Sequence, residues 1–329
     1  MNSLGVFDAL ICKNSAQQAG YLSPDPYLST IVSRVQCDHS MSKVKPSPMM
    51  NRGYFARVEC INELIKRVLD SFLANSQGRE GDVTEVDYQI VNLGSGFDTS
   101  SLHRMKEEEE TSSAGRSFHL FEVDHVEVVT QKAGILSTIE GLTVNKLGEN
   151  DFSIRIDGCS STSSTLRLLG SDLKDAESVC SSLTEANINF EIPTLILTEC
   201  VMVYMDKESC QKLSRSLVQM FQGPAAWITY DMVGVGDRFG QMMLKNLTNA
   251  GYNLPGFVDN PTKEAHVELF TACGWREVSC RTMLEAYREL ISQEAKARVA
   301  ELEIFDEIEE WEMLMSHYCL TLALQNHIH

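Results

Sequence analysis

Apolar positions follow two rhythms along this chain. In the first, Ile61, Leu64, Ile65, Val68, Leu69, Phe72 and Leu73 recur at helical spacing, which predicts a helix with one buried face. The polar segment Asn75–Asp82 ends it. In the second, short apolar runs predict buried strands at Gln89–Leu93, Phe118–Val123, Thr165–Leu169, Thr194–Thr198 and Ala225–Tyr230. Helical patterns lie between them at Val126–Ser137, Asp175–Ala186 and Lys207–Gln222. This alternation predicts a parallel sheet with helices on both faces. Trp275–Thr282 and His317–Leu324 read as two more strands at one edge, where one antiparallel strand can be accommodated, joined by a long acidic helix around Glu294–Met315. Residues 1–53 read as irregular or helical, with a loop from Asp38 to Met50 that contains Pro46 and Pro48. Lys106–Gly115 and the Ser/Thr-rich Gly158–Thr165 read as solvated surface insertions. Trp275 and Trp311 are expected in the core.

Two of the strand ends carry chemistry. The run Val91-Asn-Leu-Gly-Ser-Gly-Phe-Asp-Thr99 closes in a glycine turn, and about 25 residues on Phe121-Glu-Val-Asp124 closes in an acid. In a parallel sheet these ends are neighbours. The glycines let backbone approach a ligand, and Asp124 can accept hydrogen bonds from a ribose. A dinucleotide turn wants a third glycine, where this chain has Thr99, and Asp98 would repel a pyrophosphate. A cationic, phosphate-free nucleoside such as S-adenosylmethionine fits better. The fourth strand ends at Glu199, followed by Tyr204. Glu199 is suited to hold the ammonium group of such a cofactor or to cap a helix. The third strand ends Gly170-Ser-Asp172-Leu173, where Asp172 can bond an adenine amino group or cap a helix.

Composition narrows the partners. The formal net charge of −18 disfavours phosphate backbones and anionic membrane surfaces. The ten cysteines form no Cys-x-x-Cys pair and no zinc-type spacing, so free thiols in a reducing, cytoplasmic setting and no metal are expected. No apolar stretch approaches a membrane span, no signal segment is visible and no internal repeat occurs.

Several motifs stand in one order: Leu10-Ile-Cys-Lys13, Gly20-Tyr21, Asp25-Pro26-Tyr27, Asn51-Arg-Gly-Tyr-Phe-Ala-Arg57-Val58, the glycine turn, Phe121-Glu-Val-Asp124, Thr198-Glu-Cys-Val201 with Val203-Tyr-Met205, Gly236-Asp-Arg-Phe-Gly-Gln241, Phe305-Asp-Glu-Ile-Glu-Glu310 and His317-Tyr-Cys-Leu320. From Lys13 to Leu320 this resembles the leucine carboxyl methyltransferases, which methylate the C-terminal leucine carboxylate of the catalytic subunit of type 2A protein phosphatase. The resemblance implies a Rossmann-like α/β methyltransferase fold with a seven-stranded, mostly parallel sheet and N-terminal helical additions. It implies a single domain, with residues 1–80 a lid carrying substrate and cofactor elements and 81–329 the core, acting as a monomer. It implies S-adenosylmethionine contacts by Lys13, Arg57, Gly94, Asp124, Asp172, Leu173 and Glu199. Arg57 then anchors the cofactor or the substrate carboxylate, and Tyr204 places a hydroxyl at the transfer site. Arg238 either binds substrate or fixes its loop. The rival readings are a carboxyl methyltransferase acting on a modified tRNA base or a small acid, a nicotinamide oxidoreductase, and a non-catalytic phosphatase-binding protein.

Overall fold

Three helices open the chain: α1 (Ser3–Gln18), α2 (Leu28–Asp38) and α3 (Pro48–Ser76). The computed structural model describes residues 3–38, 47–76, 88–111, 118–158 and 165–325. Helix α3 runs for 29 residues and begins at Pro48, inside the stretch expected to be loop. Proline suits a first helical position because its missing N–H would have no intrahelical partner there. The Ser47 hydroxyl accepts from the Met50 N–H at 3.4 Å. The rest of that expected loop, residues 39–46, lies outside the described residues, as do residues 77–82 of the polar segment after α3.

The remaining elements are β1 (Tyr88–Leu93), α4 (Ser100–Thr111), β2 (Phe118–Asp124), α5 (Val126–Leu136), β3 (Leu142–Lys146), β4 (Asp151–Ile156), β5 (Thr165–Gly170), α6 (Ala176–Glu185), β6 (Thr194–Glu199), α7 (Lys207–Met220), β7 (Ala225–Met232), α8 (Arg238–Asn249), α9 (Pro255–Asp259), α10 (Lys263–Thr271), β8 (Glu277–Thr282), α11 (Met283–Leu290), α12 (Gln293–Ala300), α13 (Ile308–Ser316) and β9 (Tyr318–Leu324). A single 3-10 turn, Met202–Tyr204, follows β6.

Among the described residues the strands form one nine-stranded sheet in the order β3-β4-β5-β2-β1-β6-β7-β9-β8. Strands β5, β2, β1, β6 and β7 are mutually parallel. At one edge β9 runs antiparallel to both β7 and β8. All seven expected strands are present, so the expected count of seven falls short by the hairpin β3–β4, which pairs antiparallel along β5. Leu142-Thr-Val-Asn-Lys146 and Phe152-Ser-Ile-Arg-Ile156 do alternate apolar with polar, as a half-exposed edge strand should.

Two further corrections concern helices. The expected acidic helix over Glu294–Met315 is broken into α12 and α13. Between them Glu303 accepts from Asn51 Nδ2 at 2.9 Å, and Arg52 lies over the Phe305 ring at 4.4 Å. These tertiary contacts hold residues 301–307 out of the helix that their acidic composition favours. The glutamates expected in a surface loop stand on α4, which continues to Thr111; residues 112–115 of that insertion, and residues 159–164 of the Ser/Thr insertion, lie outside the described residues.

Every residue of β1 and of β7 is buried, because helices cover both faces of the sheet. Leu64, Val68, Val129, Met283 and Trp311 pack with Tyr88 and Ile90 on one face. On the other, Val179, Leu183, Leu213 and Phe270 pack with Val91 and Leu93. Trp275 and Trp311 are core residues, and Trp275 donates to Ser214 Oγ at 3.0 Å. Among the described residues no helix is long and apolar enough to cross a membrane. The register sets Leu93 beside Val123 and Thr198, Asp124 beside Gly170, and Glu199 beside Tyr230. The carboxyl ends of five parallel strands therefore form one rim, where open α/β sheets bind ligands.

Candidate active site

The glycine turn and the acid after it are bonded to each other. Gly94 N–H donates to the Val123 carbonyl at 2.7 Å, and Gly96 N–H donates to Asp124 Oδ2 at 2.7 Å. Asp124 Oδ1 accepts from the His125 N–H at 2.7 Å. The carboxylate is buried, and each oxygen has already spent one lone pair on the backbone. Gly94 has φ +71°, and a Cβ there would stand 2.5 Å from Val201 Cγ2. A side chain at this position would both strain the backbone and fill the space beside the turn.

Two adjoining cavities open over the rim and share Val201 and Tyr204 in their walls. The first, of about 140 Å³, is bounded by Lys13 from α1, Tyr54 and Arg57 from α3, Asn92, the glycine turn and Glu199. The second, of about 460 Å³, is bounded by Asp124, Asp172, Leu173 and the turn Gly251–Asn253. Of the sequence-expected residues, Lys13, Arg57, Gly94 and Glu199 meet at the first cavity, and Asp124, Asp172 and Leu173 at the second; Tyr204 faces both. Asp172 is exposed and its carboxylate accepts from Lys174 N–H at 3.0 Å. The helix cap next to it is a different residue, Asp175, which accepts from Ser178 N–H at the start of α6.

The charged groups of the first cavity are paired. Lys13 Nζ lies 2.6 Å from Asp98 Oδ1 and donates to Ser100 Oγ at 2.9 Å. Burial alone would raise the Asp98 carboxyl, but Lys13, by charge and hydrogen bond, and Lys132 hold it well below the usual range. Arg57 Nε donates to Glu199 Oε2 at 2.8 Å. Its guanidinium carbon lies 4.6 Å from the Tyr230 ring centre and 5.6 Å from that of Tyr54. Glu199 thus neither caps a helix nor stands alone: it orients an arginine held against aromatic faces.

Strand β6 ends abruptly. Cys200 has φ +56°, rare for a residue with a side chain, and its N–H donates to the Tyr230 carbonyl at 2.7 Å. This turn delivers Val201 and Tyr204 to the cavities. Burial pushes the Cys200 thiol up to about 12 and raises the Tyr204 phenol as well, so both are protonated at neutral pH.

Some residues of the site lay outside the sequence reading. Tyr54 stands one helical turn before Arg57 on the same face, a spacing that could have revealed it. Behind the site lies Asp231, the penultimate residue of β7, which lines neither cavity. It is completely buried, accepts from Thr229 Oγ1 at 2.9 Å and leaves Oδ1 without a hydrogen bond. Burial pushes its carboxyl up to about 7, against hydrogen bonds from Thr229 and the Val203 N–H.

The Gly236–Gln241 motif opens α8. Asp237 caps α8 by accepting from Gly240 N–H at 2.8 Å, and both its oxygens lie 3.0 Å from His317 Nε2. The His317 ring packs on Phe239 at 4.5 Å between centres. Arg238 is exposed at the first position of α8 and lines neither cavity.

A family model described as leucine carboxyl methyltransferase matches residues 6–218. Leucine carboxyl methyltransferase 1 of Bos taurus is 34% identical over 317 residues, which cover 96% of this chain and 87% of that protein. The tRNA wybutosine-synthesizing protein 4 of Rattus norvegicus is 30% identical over 324 residues, covering 97% of this chain and 43% of that protein. Among solved structures, a putative methyltransferase from Thermobifida fusca aligns with a TM-score of 0.49 at 15% identity, over 97% of this chain and 92% of that one.

Proposed function

The chain belongs to the leucine carboxyl methyltransferase family and is an S-adenosylmethionine-dependent carboxyl O-methyltransferase, and from that premise we propose that its substrate is the α-carboxylate of the C-terminal leucine of the protein phosphatase 2A catalytic subunit. The observation that carries this reading is the setting of Arg57. Its Nε is committed to Glu199, and among the described residues no hydrogen bond occupies its terminal nitrogens. A planar fork fixed at one end in a cavity beside a nucleoside turn suits a carboxylate.

The residues fit the cofactor on three counts. The space that a Cβ on Gly94 would fill lets backbone approach it. Asp124 keeps lone pairs for ribose hydroxyls, and Asp172 with Leu173 offers an acceptor and an apolar surface for an adenine. Lys13 and Glu199 supply opposite charges for an amino-acid end. When bound, S-adenosylmethionine supplies an electrophilic methyl group, so the ester forms without a proton transfer.

An α-carboxyl group with a pKa of roughly 3.5 is already ionised at neutral pH, so the chain needs no general base. Its task is to strip water from a weak nucleophile and hold it in line. Arg57 binds the carboxylate. Glu199 withdraws part of the guanidinium charge, which keeps the bound oxygen nucleophilic. The protonated Tyr204 donates a hydrogen bond to the carboxylate at the junction of the two cavities. Helices α1 and α3, which contribute Lys13 and Arg57, form with α2 a lid over the sheet core within one domain. The eight free cysteines among the described residues support a reducing compartment such as the cytoplasm.

The rat relative supports a second reading, a carboxylate on a modified tRNA base, against which the net charge of −18 speaks. A labelled-methyl assay separates the two. Base-labile label is expected on phosphatase ending in leucine and not on phosphatase lacking that residue. Label on tRNA and none on the phosphatase would overturn the proposal.

A further inference from the structure

Among the described residues Lys132 is the one lysine in the set of largest fully buried side chains, at 1% exposure. A buried ammonium is costly unless it is paired and its hydrogen bonds are met. Its ionic partner is Glu122 of β2, itself 1% exposed, with Nζ 2.5 Å from Oε2. The same Nζ donates to the main-chain carbonyl of Asp98 at 2.6 Å. Asp98 closes the glycine turn, since its N–H donates to the Ser95 carbonyl at 3.0 Å, and its carboxylate holds Lys13. One ammonium therefore ties the strand that ends in Asp124 to the turn that carries Gly94 and Gly96. The charge is balanced by Glu122, but the ammonium carries three donors; its second hydrogen bond goes to the turn, which couples the ion pair to the cavity wall.

We propose that Lys132 is a positioning residue for the nucleoside cofactor: it fixes the glycine turn and, through Asp98, the Lys13 ammonium at the cavity wall. This rests on the reading that the cavity binds S-adenosylmethionine. Lys132 touches no cavity itself and acts only through Asp98.

The test uses the double variant Glu122→Leu with Lys132→Met, which replaces both buried charges by apolar side chains of similar size and so leaves neither a buried ion nor a buried amide unpaired. Loss of the pair from the core is expected to be neutral or stabilising, so the melting temperature holds or rises. Binding of S-adenosylhomocysteine by calorimetry weakens about tenfold, the scale of one charged hydrogen bond. KM for S-adenosylmethionine rises in step, while kcat and KM for the phosphatase stay within about twofold, because the transferring atoms are held by other residues. Lys132→Arg, which keeps a charge and donors, restores most of the affinity. A folded double variant that binds S-adenosylhomocysteine as tightly as wild type overturns the proposal. If the double variant does not fold, the neutral pair Glu122→Gln with Lys132→Gln, which keeps hydrogen-bonding groups in the core but is too short at position 132 to reach the Asp98 carbonyl, decides: weakened S-adenosylhomocysteine binding upholds the proposal and unchanged affinity overturns it. Failure of wild type to bind S-adenosylhomocysteine would instead remove the cofactor reading, and this proposal with it.

Discussion

Asp231→Asn tests the buried carboxyl of β7 through the pH dependence of stability. Asp231 is completely buried, with one oxygen lacking a hydrogen bond, and its carboxyl is displaced from the ordinary 3.8 to about 7. In the unfolded chain it ionises at its ordinary value. Between the two values the native state holds a proton that the unfolded state has lost. The native state binds more protons there, so its stability falls as pH rises from about 4 to about 7 and is level beyond. At 1.36 kcal/mol per unit, the full displacement sets an upper limit of about 4 kcal/mol. Asparagine keeps the shape, still accepts from Thr229 and cannot ionise. Wild type and variant are therefore expected to have similar stability near pH 4.5, and the variant to be more stable by about 2–4 kcal/mol at pH 8. Urea denaturation at both pH values, analysed for equal m, measures this. Self-repulsion from the charge of −18 is common to both proteins above the carboxylate range and largely cancels in the difference. A stability gap that is the same at pH 4.5 and pH 8 would refute the account.

Three further outcomes follow from the geometry. Arg57→Lys loses the Nε bond to Glu199 and the flat contact with Tyr230, together worth about 3 kcal/mol at a desolvated site; kcat/KM for the phosphatase should fall about a hundredfold, and a fall under threefold contradicts the anchoring role. Gly94→Ala places a Cβ 2.5 Å from Val201 Cγ2 on a backbone with φ +71°, so S-adenosylhomocysteine affinity, read by calorimetry, should drop at least about tenfold. Val201→Ala should restore only part of it, since the strained φ remains. Asp237→Ala removes the α8 cap and the His317 contact; stability should fall by about 1–2 kcal/mol in denaturant melts while KM for S-adenosylmethionine stays unchanged.

The parallel core of the fold was legible because each of its strands is buried on both faces and reads as an unbroken apolar run. The hairpin β3–β4 was less visible: its two strands are short and half-exposed, so their alternation spans only five or six residues each. The break between α12 and α13 had no local signal, since Glu303 and Phe305 leave the helix for partners some 250 residues away in sequence, Asn51 and Arg52. At the site, strand-end acids were readable one by one, but their partners were not. Arg57 and Glu199 read as two separate signals, and nothing local shows that residues 142 positions apart stand 2.8 Å from each other. Lys132 gave even less away, because a polar position inside an amphipathic helix ordinarily faces water. Once assembled, these groups form two charge-compensated sets, Glu122–Lys132–Asp98–Lys13 and Glu199–Arg57. Neither set presents an isolated charge to the cavity. A carboxylate entering beside Arg57 therefore meets a cation already shared with Glu199, which binds it less tightly than a bare guanidinium would. For a nucleophile as weak as a carboxylate this moderation is a requirement, since an ion pair strong enough to hold the ground state would also remove the electron density that the transfer needs.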